Sequence, residues 1–333
     1  MKLLFTTLLS ATAFSATLGA AIPVTFIPGN KIYKHAGDLG ASIEGASVDA
    51  RGSLYALNST HLLNLYSGET VYSHSEDATE QHLAGSRWTR SNVLLIADAV
   101  GKRVFKVAKN AVSVAFDNEK FLQPNDLAMT TDESAIYFAG MNYSANTGEL
   151  WYTKDGSKLK SIDTVAAGLF RTNGIEVSDD DQKLFITSAE NGDDGKIASA
   201  KVWGFDLVDG VPSNPKVAFD IYGNLPQFAE KGQLDPDGMR ADTAGNIYNT
   251  LNAEGSILRW NVKNPKDFEV YELPSVAWPT NLEFGGSDGK TLAVVGRCRN
   301  EAGEIDGEVT KSCVDVARVK APGKAWSALQ KRY

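Results

Sequence analysis

The 333 residues are 43% hydrophobic and 22% charged, the proportions of a chain that folds around an ordinary apolar core. A net charge of -8, with no dense Lys/Arg run, argues against nucleic acid and against an anionic membrane surface as partners. The chain has only two cysteines, with no histidine near them, which does not compose a zinc or redox site.

Lys2 precedes two apolar runs, 3–9 and 11–18, and small residues follow at Gly19, Ala20 and Ala21. This is the pattern of a secretory leader over residues 1–20, too short and too broken by Ser and Thr to span a bilayer. Residues 21–333 are then expected to form one secreted, monomeric domain. Asn58-Ser59-Thr60 and Asn142-Tyr143-Ser144 are glycosylation sequons, which suit an exported protein. In an oxidising compartment Cys298 and Cys313 are expected to join as one local disulfide clamping a hairpin loop, the alternative being two free thiols.

Beyond the leader, one pattern recurs: a turn, a short half-apolar strand, a second turn, a second strand. The strand pairs fall at 44–49 and 53–57, 84–89 and 93–98, 124–129 and 135–139, and 172–177 and 183–187. The fifth pair opens at Asp235-Pro236-Asp237-Gly238-Met239 and resumes at Ile247, and the sixth occupies 279–284 and 290–295. A third strand of alternating apolar residues follows at 103–107, 148–152, 201–205 and 256–260, and a fourth at 268–271. Four-stranded units recurring every 40 to 60 residues or so are the mark of propeller blades. The predicted fold is therefore all-β: a six-bladed β-propeller of four-stranded antiparallel blades around a central channel. A large β-sandwich also has many short strands, but nothing in it requires such units to repeat in one register. The loops at 190–195 and 222–234 are expected on a rim, where they can cover the channel mouth.

With the copies aligned on their first strands, Glu44, Asn125, Asn173 and Asp237 occupy equivalent places, each at a turn just before an inner strand. In a propeller those places converge on the axis. Two carboxylates and two amide carbonyls form a hard-oxygen set that suits calcium, and less closely magnesium or manganese. The alternative is that Asn and Asp are there as turn formers, which does not account for Glu44. Substrate polarised by such an ion would meet Asp237 as general base or nucleophile. His82, just before the second copy, either lines the pocket or packs.

The residues Glu44-Gly45, Asn125-Asp126, Asn173-Gly174-Ile175, Pro236-Asp237-Gly238-Met239 and Phe284-Gly285-Gly286 together resemble the senescence-marker-protein/gluconolactonase/luciferin-regenerating-enzyme family. Regucalcin-type lactonases and calcium-dependent phosphotriesterases belong to this group or to its close neighbours. The resemblance implies a secreted hydrolase opening a small-molecule lactone or ester, with one divalent metal in the channel, calcium before magnesium, manganese or zinc. It implies Glu44, Asn173 and Asp237 as metal ligands, with Asn125 as ligand or substrate contact. Gln123 and Thr280 join Asn125 as the expected substrate-binding residues. Two departures stand out: Ala46 where the family commonly has Pro, and Gln123 where it often has an Arg that contacts polar substrate. The second puts a preference for acidic or highly hydroxylated sugar lactones in question. A phosphotriesterase-like or other ester hydrolase, and a non-catalytic propeller stabilised by calcium, are the alternatives.

Overall fold

A computed structural model describes residues 24–29, 33, 35–40, 42–73, 82–109, 111–156, 158–306 and 309–331. The expected leader at 1–20 lies outside the described residues. Six antiparallel sheets of four strands each are present, so the predicted propeller is observed. Blade 1 holds Glu44–Val48, Leu54–Leu57, His61–Asn64 and Thr70–Ser73. Blade 2 holds Leu83–Trp88, Leu94–Asp98, Arg103–Ala108 and Ala111–Asp117, and blade 3 Pro124–Met129, Ala135–Asn142, Thr147–Lys154 and Lys160–Ile162. Blade 4 holds Arg171–Val177, Lys183–Asn191, Ile197–Val208 and Val211–Asp220, and blade 5 Asp235–Ala241, Asn246–Asn252, Ser256–Asn261 and Phe268–Glu272.

Blade 6 is the exception. Its first three strands, Val276–Gly285, Thr291–Cys298 and Ser312–Arg318, come from the end of the chain, and its fourth, Ile27–Pro28, comes from the beginning. Ile27 pairs with Val316 and Pro28 with Asp315, so the ring is closed by main-chain hydrogen bonds between the two ends of the propeller. Nothing in the repeat pattern signals this two-residue strand.

The first strand of every blade lines the axis, and each packs on the next, with blade 6 returning onto blade 1. Apolar residues fill the wedges between blades. Val48 and Leu54 of blade 1 meet Val295 and Val314 of blade 6, and Ile175 and Leu184 of blade 4 meet Tyr137 and Leu150 of blade 3. Each wedge is a small core of its own, which suits blades that bury both faces of every sheet.

All six inner strands carry a register irregularity near their start: between Glu44 and Ser47, Leu83 and Ser86, Pro124 and Asp126, Thr172 and Ile175, Pro236 and Met239, and Pro279 and Asn281. A bulge bends a strand and re-aims the side chain it holds. Glycine follows the bulged residue in four blades because the next blade arrives there. A Cβ on Gly45 would lie 2.2 Å from the Ala84 carbonyl oxygen, and Gly45 also has φ of 53°, a left-handed value that costs other residues energy. A Cβ on Gly174 would lie 2.2 Å from the Asp237 carbonyl oxygen.

The inner strands enter at one end of the channel, and the loops expected on a rim are at that end. The loop at 191–196 and the helices α1 (Ile221–Asn224) and α2 (Pro226–Lys231) lie there, and just past the loop the Ile197 N–H donates to the carbonyl of Gly232, which caps α2, at 2.7 Å. A third helix, α3 (Lys324–Gln330), lies across the opposite end. Its Lys324 ammonium is buried, 3.0 Å from an Asp181 carboxylate oxygen and 3.1 Å from the Met129 carbonyl. Between α3 and the axis lies a cavity of about 30 Å³, lined by Arg87, Trp88, Glu176 and Lys324 among others, room enough for water. No helix among the described residues is long and apolar enough to cross a membrane.

The expected disulfide is formed between Cys298 and Cys313, at the mouth end of two neighbouring strands of blade 6. It closes the loop between them, with a sequence separation of 15. Loop-entropy arguments make a bridge of that span worth about 3 kcal/mol. Replacing both cysteines by alanine should therefore lower the free energy of unfolding by roughly that amount in a urea titration. An unchanged midpoint would show that the loop is held by its other contacts.

Candidate functional site at the channel mouth

The bulges give the site its geometry. Glu44, Asn125, Asn173 and Asp237 stand at equivalent bulge positions in blades 1, 3, 4 and 5, with Thr280 in blade 6 and Ala84 in blade 2 at the remaining two. Asn125 Nδ2 donates to Asn173 Oδ1 across the gap between blades 3 and 4. That contact turns the Asn125 carbonyl oxygen away from Asn173. Glu44 and Asp237 are close enough for charge repulsion. Burial, and then the charge of Glu44, push the Asp237 carboxyl well above the usual range. Burial and the neighbouring Asp126 likewise raise Glu44, against the Gly45 N–H at 3.3 Å, the Arg240 charge and the Asn281 amide.

Two carboxyls in a partly dry site, with Glu44 adding to the cost of charge at Asp237 and Asp126 to the cost at both, are what a bound cation would relieve. Among the described residues no three carboxylate, histidine or cysteine side chains gather at one point. The available donors are two carboxyls and two amide oxygens, all hard, with neither nitrogen nor sulfur for a softer ion. The residues therefore fit calcium, and fit zinc poorly.

The other expected site residues are engaged with the wall. The Thr280 hydroxyl donates to the Ile43 carbonyl at 2.7 Å, tying blade 6 to blade 1. Gln123 is half-buried, and its backbone N–H donates to Glu149 Oε1 at 2.9 Å. His82 is also half-buried; burial pulls its pKa down, against the pull of Asp98. Both sequons lie on turns at this end. Asn58 Oδ1 accepts from the Thr60 and His61 N–H groups, whereas Asn142 is exposed.

Sequence reasoning missed the layer beneath. Three residues past the bulge position, the inner strands of blades 2, 4, 5 and 6 carry Arg87, Glu176, Arg240 and Glu283, all buried on the axis. Arg87 lies 3.2 Å from Glu176 and 3.8 Å from Glu283, and Arg240 lies 3.0 Å from Glu283 and 3.2 Å from Asp126. Burial opposes the charge on Arg240, but Asp126, Glu283 and Glu176 outweigh it and raise its pKa. For Arg87 burial wins, helped by repulsion from Arg240, and the pKa falls. The signal was available, since charges spaced in one register within apolar strands have to meet one another. Also missed was Asn252, whose Nδ2 donates to Asp237 Oδ2 at 3.4 Å and to the Pro279 carbonyl at 3.2 Å.

A further pair sits above the ligand positions. Arg171 and Asp235 each precede a bulge residue by two, and they are joined at 2.7 Å. The Arg171 guanidinium also donates to Asn191 at 2.8 Å and lies 4.3 Å beneath the Tyr143 ring. Its second terminal nitrogen is buried and has no partner among the described residues.

A family model described as the SMP-30/Gluconolactonase/LRE-like region matches residues 43–296, which spans all the inner strands. The chain belongs to this family. A gluconolactonase of Zymomonas mobilis is 27% identical over 175 residues, 46% of this chain and 44% of that protein. A 6-deoxy-6-sulfogluconolactonase of Pseudomonas putida is 27% identical over 188 residues, 54% of this chain and 59% of its own. The chain thus spans about half the length of these two curated relatives. Among solved structures, a calcium-binding protein, regucalcin, of Agrobacterium tumefaciens superposes with a TM-score of 0.59 at 21% identity, over 85% of this chain and 92% of that one. That likeness speaks for the fold of this SMP-30/gluconolactonase-like chain.

Glu149 gives the site a testable support. Its two oxygens accept the N–H groups of Leu122 and Gln123 and the indole of Trp151, at 2.8 to 2.9 Å. Burial raises its pKa, and these three donors lower it again. Glu149→Gln keeps the shape but turns an NH₂ toward one of the donors. We expect a loss of about 1–3 kcal/mol in urea unfolding, the cost of a buried polar group left without a partner. A wild-type midpoint would show that the carboxylate does not hold this segment.

Proposed function

We propose that the chain is a metal-dependent hydrolase that opens a lactone, with one divalent cation, calcium first, held by Glu44, Asn125, Asn173 and Asp237. The observation that carries the reading is the collection of two mutually repelling carboxyls and two amides from four blades at one mouth. The axis below adds to the attraction for a cation, since two arginines there face the three carboxylates of Asp126, Glu176 and Glu283. The gluconolactonase and sulfogluconolactonase relatives support the reaction class, and the regucalcin likeness is in keeping with calcium. We propose further that residues 21–333 act as one exported unit after loss of the leader, as a disulfide-bearing, sequon-bearing chain would.

Calcium bound at this point would polarise the carbonyl oxygen as a Lewis acid and help to seat the attacking water. We assign Asp237 the role of base, with one of its oxygens held by the Asn252 amide. Water oxygen adds to the carbonyl carbon while its proton passes to Asp237. The ring C–O bond then breaks, and that proton goes to the departing oxygen, which leaves a hydroxy acid. Asn125 orients the carbonyl or an adjacent hydroxyl, as its amide is fixed against Asn173.

Glu44→Gln and Asp237→Asn each remove one of the two charged donors, and the single carboxylate left among three amides holds a hard cation weakly. Both variants should lose calcium binding by calorimetry and lose hydrolysis together. Near-normal activity in Glu44→Gln would remove Glu44 from the ligand set.

Asn125 separates an enzyme from a binding propeller. Asn125→Ala should keep most calcium affinity and thermal stability while kcat/KM falls by about 10² or more, the scale of lost positioning and transition-state hydrogen bonding. If excess calcium restores full turnover, Asn125 acts as a ligand and its substrate role is wrong. Sugar lactones, aliphatic lactones, aryl esters and phosphotriesters compared with calcium, magnesium, manganese or zinc restored to chelated protein test the class itself. Activity on none of them would leave a calcium-stabilised binding propeller.

A further inference from the structure

The mouth offers substrate apolar surface as well as charge. Leu122 precedes Asn125 by three residues and is 37% exposed, and Phe170 precedes Asn173 by three and is 37% exposed. Tyr143, 59% exposed, stands on the turn between the second and third strands of blade 3, with its ring over Arg171. These are large apolar side chains left open at the mouth end of blades 3 and 4. Their backbones are pinned: the Leu122 N–H by Glu149 at 2.8 Å, and the Phe170 N–H by the Ser188 hydroxyl at 3.0 Å. The backbones of Leu122 and Phe170 are thus held, close in sequence to Asn125 and Asn173, and the Tyr143 ring rests on Arg171.

Several charges at the same height are already matched. Arg171 is joined to Asp235 and covered by Tyr143, and its unpartnered nitrogen is shut away from solvent. Arg103 is paired with Asp98, and Lys231 with Glu254. Arg297 lies 4.7 Å from the centre of the Trp278 ring on the inner strand of blade 6. Gln123, in the register place that Arg171 and Asp235 fill in the next two blades, is neutral.

We infer that the substrate is an uncharged lactone or ester bearing an apolar arm, and that Leu122, Tyr143 and Phe170 form the subsite that seats the arm beside the Asn125–Asn173 pair. This rests on the hydrolase reading for the reaction and adds the class of substrate. A polyhydroxylated or anionic lactone would have to desolvate its polar groups against these side chains without gaining partners there. An alkyl or aryl arm would instead bury its own surface and theirs.

The test uses the calcium-loaded full chain and two ligand series. One is a set of γ-lactones with alkyl arms of increasing length, followed by kcat/KM. The other is the set of lactams with the same arms, followed by calorimetric affinity. Each added methylene should raise both quantities by about fourfold until the arm outgrows the patch. Gluconolactone and lactones carrying a carboxylate or sulfonate should trail the alkyl series. Phe170→Ser and Tyr143→Ser should flatten the dependence on arm length in both series. A flat dependence in the wild type, or a slope that the two serine variants leave unchanged, overturns the subsite. Failure of the hydrolase reading looks different: no lactone is opened, while lactam affinity still climbs with arm length and supports the subsite alone.

Discussion

Six inner strands can line one axis only if each backbone is allowed very close to the next. The contact that permits this is the bulge at the start of each inner strand, where one blade's glycine lies against the main chain of its neighbour. At Gly45 and Gly174 there is no room for a Cβ beside the neighbouring carbonyl oxygen. Blade 3 has Asp126 and blade 6 has Asn281 in that place, and both fold their side chains back onto the following N–H, at 2.8 and 2.9 Å. The residue before this contact is turned toward the axis by the bulge itself. A packing requirement and a functional position are thus consecutive residues, so the site cannot drift without loosening the ring.

The same register produces two charge layers of opposite character. Below, Arg87, Arg240, Glu176, Glu283 and Asp126 are buried, paired and hydrogen-bonded, so each charge has a partner in a dry channel. Above, Glu44 and Asp237 have like charge and, among the described residues, no ion-pair partner. Buried ion pairs are weak evidence for stability, but removing one member leaves an uncompensated charge that costs several kcal/mol, of order 3–5. The lower layer therefore fixes the arrangement of the inner strands, while the upper layer keeps an electrostatic demand unmet. Asp126 belongs to both layers: it pairs with Arg240, and its charge raises Glu44 and Asp237.

The repeat made the fold legible, because a bulge, strand, turn and strand recurring six times leave a period that local chemistry alone does not. Glu44, Asn125, Asn173 and Asp237 were legible for the same reason, as polar residues in one register place. What could not be read came from pairings across the ends of the chain or across the axis. Ile27–Pro28 is too short to look like a strand, and it forms one only because Ser312–Arg318 offers an open edge. Helix α3 has seven residues, below the length at which periodicity is informative, and its placement depends on Lys324 finding Asp181 and Met129. Arg171 could be seen in the sequence, but its pairing with Asp235 at the next blade start, 64 residues on, required the ring.

The closing of one end decides how the other can work. Helix α3 and the axial ion pairs shut the channel on the far side, where Lys324 itself is buried against the wall. Anything that reaches Asp237 therefore comes in past the rim formed by the 191–196 loop, α1, α2 and the disulfide-closed loop of blade 6, and any product leaves the same way. With the far side sealed, the electrostatic demand of Glu44 and Asp237 can be met only from the mouth. On the reading proposed above, apolar side chains at the lip would select by burial, and the polar floor by charge and by the direction of two amides. A divided site of this kind needs its loops to vary and its floor to stay rigid, which the closed ring with bulged inner strands provides.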